Sequence, residues 1–110
     1  MKIDITDDIA IVTQDKSEIL SFIESLNREY DTLKPKHLII DLLGFKRINH
    51  SDLMRLLPVS NAHRLANKSF VIVSSDIDLD VMPEELIIVP TLQEAHDIIE
   101  MESIERDLGL

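Results

Sequence analysis

The stretch His37-Leu38-Ile39-Ile40-Asp41-Leu42-Leu43-Gly44-Phe45-Lys46-Arg47-Ile48-Asn49-His50-Ser51-Asp52-Leu53 decides the fold. Its first seven residues lack the polar alternation of a half-exposed strand, so they suit a central strand covered on both faces. Gly44 to Arg47 reads as a turn. Asn49, His50, Ser51 and Asp52 then supply side chains able to accept hydrogen bonds from the first free amides of a helix. A buried strand running directly into a capped helix is the repeating unit of an α/β protein.

Toward the C-terminus, Leu53, Met54, Leu56, Leu57, Leu65 and Ala66 are expected to form the buried side of that helix. Pro58 conflicts with it, because proline deletes an amide donor and clashes with the carbonyl four residues back, so a kink or break is expected there. Phe70 to Val73 reads as a strand, Asp76 to Asp80 as an acidic loop, Pro83 to Glu85 as a short helical turn, and Leu86 to Val89 as another strand closed by Pro90. Thr91-Leu92-Gln93-Glu94 is a capping box that opens a last helix through Ala95, Ile98 and Ile99.

Toward the N-terminus, Ile3 and Ile5 alternate with polar residues, and Ile9 to Thr13 continues after Asp7-Asp8, which predicts a hairpin. Asp15-Lys16-Ser17-Glu18 has the form of a capping box. Ile19, Phe22, Ile23, Leu26, Tyr30 and Leu33 follow at the spacing of an amphipathic helix that Pro35 ends. The expected fold is therefore α/β, with a mixed, mostly parallel sheet of about five strands, an N-terminal hairpin, and three to four helices joined by right-handed crossovers. Residues 1–100 form the domain, and 101–110 an acidic amphipathic extension of its last helix.

Composition narrows the function. The 110 residues are 45% hydrophobic, which excludes a wholly disordered chain, and the absence of cysteine excludes disulfides and thiolate metal sites. No apolar run approaches the roughly 18 residues a membrane helix needs, and Thr6-Asp7-Asp8 stands where a signal peptide would be apolar, so a cytoplasmic protein is expected. The net charge of −10 is uneven: −4 over residues 1–27, +4 over 28–68 and −10 over 69–110. Such a balance repels phosphate backbones and anionic lipid, so neither nucleic acid nor membrane is expected as a partner.

The templates of catalysis fail in turn. With Gly44 and Gly109 as the only glycines there is no phosphate loop, dinucleotide fingerprint or nucleophile elbow. His37, His50, His63 and His96 are far apart and form no metal-ligand pattern, so neither metal nor cofactor is expected. His50 as a base toward Ser51 is disfavoured because adjacent residues at a helix start point in different directions. An anion at that helix start would compete with Asp52 for the positive end of the helix. No catalytic residue is assigned; an enzyme of another type would draw on His50 and Asp41.

Three patterns resemble STAS domains, the fold of sulfate transporters and anti-sigma factor antagonists. Leu38-Ile39-Ile40-Asp41-Leu42 is similar to their central strand ending in aspartate. Ile48 to Leu57 is similar to their apolar residue, Asp-Ser-Ser/Thr-Gly-Leu and apolar helix, and Val89-Pro90-Thr91-Leu92-Gln93-Glu94-Ala95 to their closing strand and helix start. The resemblance runs from Lys2 to Ile99. It implies a regulatory interaction module whose partner is an anti-sigma factor or kinase-like regulator, with a serine at this helix start phosphorylated in antagonist members.

Here the alignment sets Asn49 on the aspartate, His50 on the phosphorylated serine, Ser51 on the following hydroxyl residue and Asp52 on the glycine. The acceptor position is thus not a hydroxyl. Ser51 serves only if the register slips, and Asp52 beside it would repel an added phosphate. The implied docking face carries Lys46, Arg47, Asn49, His50, Ser51, Asp52 and Arg55, with Arg64 at its margin, and suits a protein partner with an acidic patch. His50 would let modest pH changes alter its charge. Met101, Ile104 and Leu108 form a narrow apolar stripe that either extends the last helix across the domain or projects as a partner or dimerisation helix. A small-molecule or lipid carrier, using space between sheet and helices, is the alternative of another class.

Overall fold

The computed structural model describes residues 1–14, 18–45, 48–75 and 77–110. The strands are β1 (Lys2–Thr6), β2 (Ile9–Thr13), β3 (His37–Asp41), β4 (Phe70–Val73) and β5 (Ile87–Val89). The helices are α1 (Ile19–Leu33), α2 (His50–Met54), α3 (Leu57–Leu65) and α4 (Leu92–Asp107). β1 and β2 pair antiparallel, and the remaining neighbours are parallel, in the order β1-β2-β3-β4-β5. Asp7 makes the two-residue hairpin turn from the left-handed region, at φ 53°, which aspartate tolerates better than most side chains.

Right-handed crossovers between successive parallel strands all fall on one face of a sheet. On that face α1, α2 and α3 cover Ala10, Val12, Leu38, Ile40, Phe70 and Ile72, each of them buried. α4 follows the last strand and covers the other face, where Ala95 and Ile99 pack on Ile39, Val71 and Val73. β3 is central and Leu38 to Ile40 are fully buried, as its unalternating sequence predicts. α4 lies over β3, β4 and β5, so Ile9 and Ile11 on β2 stay half-buried beneath its edge.

Pro58 does break the helix. α2 stops at Met54, and Pro58 sits in the first turn of α3, where a missing amide costs nothing. The break rephases the chain, which corrects the expected buried side. Leu53 and Leu56 are buried and Leu57 half-buried, but Met54, Leu65 and Ala66 are exposed, and Val59, Ser60 and His63 take the inward positions. α3 ends with Asn67 left-handed at φ 63° and the Lys68 amide on the His63 carbonyl, and α4 ends likewise with Gly109 at φ 74° and the Leu110 amide on Glu105.

The helical turn between β4 and β5 falls earlier than expected. The Asp78 carboxylate accepts the Asp80 amide at 3.1 Å and nucleates a 3₁₀ turn over Leu79–Val81, leaving a single hydrogen-bonded turn at Pro83 to Leu86. Thr91 caps α4 as read, accepting the Glu94 amide at 3.1 Å while its hydroxyl donates to the Glu94 carboxylate at 3.0 Å. The capping box read at Asp15 to Glu18 lies mostly outside the described residues; Glu18 itself makes no side-chain cap. Among the described residues, no helix is long and apolar enough to cross a membrane.

Candidate functional site

α2 emerges at the C-terminal end of β3, where the chain must turn out of the sheet. Asp41 shapes that exit, its carboxylate accepting the Leu43 amide at 3.0 Å. Asn49 is the N-cap of α2: its side-chain oxygen accepts the Ser51 amide at 2.9 Å, and its carbonyl accepts the Asp52 and Leu53 amides. Leu53, fully buried, pins the short helix to the core. His50, Ser51 and Arg55 are left exposed, and Asp52 is half-exposed in the first turn. Among the described residues no hydrogen bond joins His50 to Ser51 or to Asp41, so neither pairing considered for catalysis is assembled. The Ser51 amide is occupied by Asn49, which removes one donor an anion would need.

Beside α2 a groove of about 340 Å³ runs between α1 and the α2–α3 break, lined by Leu20, Ile23, Glu24 and Asn27 on one side and Arg55 and Pro58 on the other. Leu20 and Met54 are exposed at 41% and 40%, placing apolar side chains next to the polar cap. Arg55 is thus gathered with Asn49 to Asp52 at one end of the domain. Lys46 and Arg47 lie outside the described residues. Arg64 does not join this face: α3 runs back toward the opposite end of the sheet, and the Arg64 guanidinium binds Glu102 there at 2.7 Å.

At that opposite end lies a polar cluster that the pattern reading missed. Glu102 accepts from Arg64 and, at 2.6 Å, from the Ser69 hydroxyl, which in turn accepts from Arg106 at 3.0 Å. Burial pushes the Glu102 carboxyl up, but the hydrogen bonds from Arg64 and Ser69 and the charges of Arg64 and Arg106 outweigh it and leave its pKa below 4.5. His63, fully buried, donates Nε2–H to the Lys36 carbonyl and accepts the Tyr30 hydroxyl at Nδ1, both at 2.8 Å. The His37 Nδ1 accepts the Ser69 amide at 3.0 Å. Burial holds both histidines below the usual value of 6.5, helped by the charges of Lys68 and Arg106. One signal was available: Ala95, Ile99, Glu102 and Arg106 share the inward register of α4.

Met101, Ile104 and Leu108 lie on the solvent side of α4, each more than half exposed, opposite Ala95 and Ile99. The last helix does extend past Ile99, but this stripe does not pack on the domain. Among the described residues no group of three or more His, Asp or Glu gathers to hold a metal.

A five-stranded mixed sheet with an antiparallel hairpin at one edge, helices on both faces and a short capped helix after the central strand is a STAS-like fold. Among solved structures it is similar to RsbS of Moorella thermoacetica, a STAS-domain anti-sigma factor antagonist solved as a serine-to-glutamate variant. The TM-score is 0.61 at 19% identity, over 92% of this chain and 97% of that one, a likeness of fold. No protein-family model and no curated protein sequence matches the chain.

Proposed function

We propose that this chain is a non-enzymatic regulatory docking module, a STAS-like adaptor that recognises a protein partner without a standard phosphoserine switch. The observation that carries it is the α2 face. Exposed His50, Ser51 and Arg55 stand beside exposed Leu20 and Met54 and an open groove, the mixture of apolar anchor and polar rim that protein recognition uses. The partner class is an anti-sigma factor or a kinase-like regulator, by analogy with RsbS. The resemblance sets His50 where antagonists carry the phosphorylated serine, which supports docking through this face without that switch. Lys46 and Arg47, which precede α2 in the sequence, are the further basic residues of the expected face.

A phospho-regulated antagonist using Ser51 is the second reading, and the exposure of Ser51 favours it. Against it stand Asp52 in the same turn and the Ser51 amide already bound to Asn49. The carrier reading has less to work with, because helices and sheet meet through fully buried side chains such as Phe22, Leu26 and Leu38.

Affinity purification of the tagged chain from its native cell at low salt, with intact-mass analysis of the bait, separates these readings. A regulator recovered with unmodified bait, and lost from His50→Ala and Arg55→Glu but retained by Glu29→Ala, is the expected result. A phosphate mass on Ser51 would replace the constitutive reading with the switch. Recovery unchanged in both face variants would overturn the docking face.

A further inference from the structure

The geometry points to the free edge of β1 as a self-pairing site, through which two copies of this chain join their sheets antiparallel across a two-fold axis, with Lys2 of each opposite Asp4 of the other. β1 is an end strand that pairs with β2 over five consecutive residues, and all five of its residues are exposed. An end strand presents unsatisfied amides and carbonyls to any strand that can add to it, and proteins ordinarily blunt such edges with proline, bulges, short length or charged side chains, lysine above all; the charges on β1, Lys2 and Asp4, are of opposite sign and can pair with those of a second copy. β1 has neither proline nor a break in register.

Its side chains are arranged for a copy of itself. Ile3 and Ile5 oppose Val12 and Ala10 on β2, so they lie on the α1 side of the sheet, yet they remain 37% and 52% exposed. Lys2 and Asp4 lie on the other side, opposite Thr13 and Ile11. Pairing two β1 strands so that like faces match leaves few registers, because a slip of one residue puts the isoleucines on the wrong face. The register centred on Asp4 places two carboxylates directly opposite one another, which is repulsive. The register centred on Ile3 sets Ile3 against Ile3 and Lys2 against Asp4 twice over, joining apolar residues on one face and opposite charges on the other.

Such a contact is isologous and closes as a dimer rather than a fibre. The α4 stripe is a poorer route to self-association, because Glu100, Glu105 and Asp107 flank it and two copies would bring like charges together. One strand edge buries less than the roughly 800 Å² per partner of a standard interface, so the dimer is expected to be weak and to form at high protein concentration. This inference is independent of the α2 docking face, which lies at the end of the central strand.

Sedimentation velocity of the full chain from 10 μM to 1 mM tests it. Wild type is expected to dimerise with concentration, and Lys2→Asp and Asp4→Lys each to weaken the dimer at least tenfold. An equimolar mixture of the two variants is expected to regain it as a heterodimer, and the double exchange Lys2→Asp/Asp4→Lys as a homodimer. Both residues are exposed on an edge strand, and far-ultraviolet circular dichroism verifies that each variant folds. A wild type that stays monomeric at 1 mM, or a dimer indifferent to both Lys2→Asp and Asp4→Lys, overturns the proposal.

Discussion

Arg64 on α3 and Glu102 on α4 sit on opposite faces of the sheet and meet around its end, guanidinium Nη2 to carboxylate Oε2, at 2.7 Å. This pair links the two helical layers where no strand residue separates them. Glu102 also accepts from Ser69, the residue that leads into β4, so one carboxylate ties three elements. Removing it leaves two partly buried cations without their counter-charge, which costs more than the intact pair gained.

Glu102→Ala is therefore expected to lower unfolding free energy by about 2 kcal/mol. Arg64→Ala, at a site about a third exposed, is expected to cost less, about 1 kcal/mol. Urea denaturation of both variants and the double mutant checks the link: the double should fall short of the sum by at least about 0.5 kcal/mol. Additive losses would mean that the two side chains act separately.

The buried histidines set the pH response. His63 and His37 are neutral in the fold and held below 6.5, so between their folded values and 6.5 the unfolded chain binds more protons. Their stabilisation is complete above about pH 6.5 and is lost as pH falls through the folded values. Glu102, held below 4.5, adds a second loss of the same sign in more acid solution. Urea midpoints from pH 8 to 4 should decline in these two stages. Tyr30→Phe, which leaves the buried Nδ1 of His63 without a donor, is expected to cost about 1–3 kcal/mol at pH 7.5. His63→Leu should remove most of the further effect of Tyr30→Phe.

Local pattern made the sheet legible. β3 could be recognised as central because nothing in Leu38-Ile39-Ile40 is polar, and α1 because its apolar residues recur at helical spacing. Asn49 was legible as a cap because its residue type and place allow little else. The inward side of the segment after Asn49 is not legible at Met54, Leu65 and Ala66, since apolar type does not mark burial across a break that resets helical phase. The groove at Arg55 was invisible for another reason: Leu20, Glu24 and Asn27 join it from α1, and only tertiary packing brings those residues together. Glu102 went unread because a charged residue in an inward register looks like surface until its partners arrive from α3 and β4.

Ser60 tests the same rephasing. It takes an inward position on α3, fully buried, and its hydroxyl has no hydrogen-bond partner among the described residues. A buried hydroxyl without a partner is a cost, and alanine is also the better helix former. Ser60→Ala is expected to stabilise the protein by about 1 kcal/mol, read as a rise in urea midpoint with unchanged slope. A loss of stability would show that the hydroxyl is satisfied in solution.

The α4 stripe separates stability from recognition. Met101 and Ile104 face solvent, whereas Ile99, two and five positions earlier, is buried against the sheet. Met101→Lys and Ile104→Lys should each change unfolding free energy by no more than about 0.5 kcal/mol, while Ile99→Ala should cost about 2–5 kcal/mol. A large loss from either lysine variant would mean that the stripe packs on this domain. If stability holds but partner capture falls, the stripe is a contact, and its partner must carry basic residues to meet Glu100, Glu105 and Asp107. Raising salt should then weaken capture by wild type more than by a variant in which Glu100 and Glu105 are replaced by glutamine, because screening acts only on charges still present.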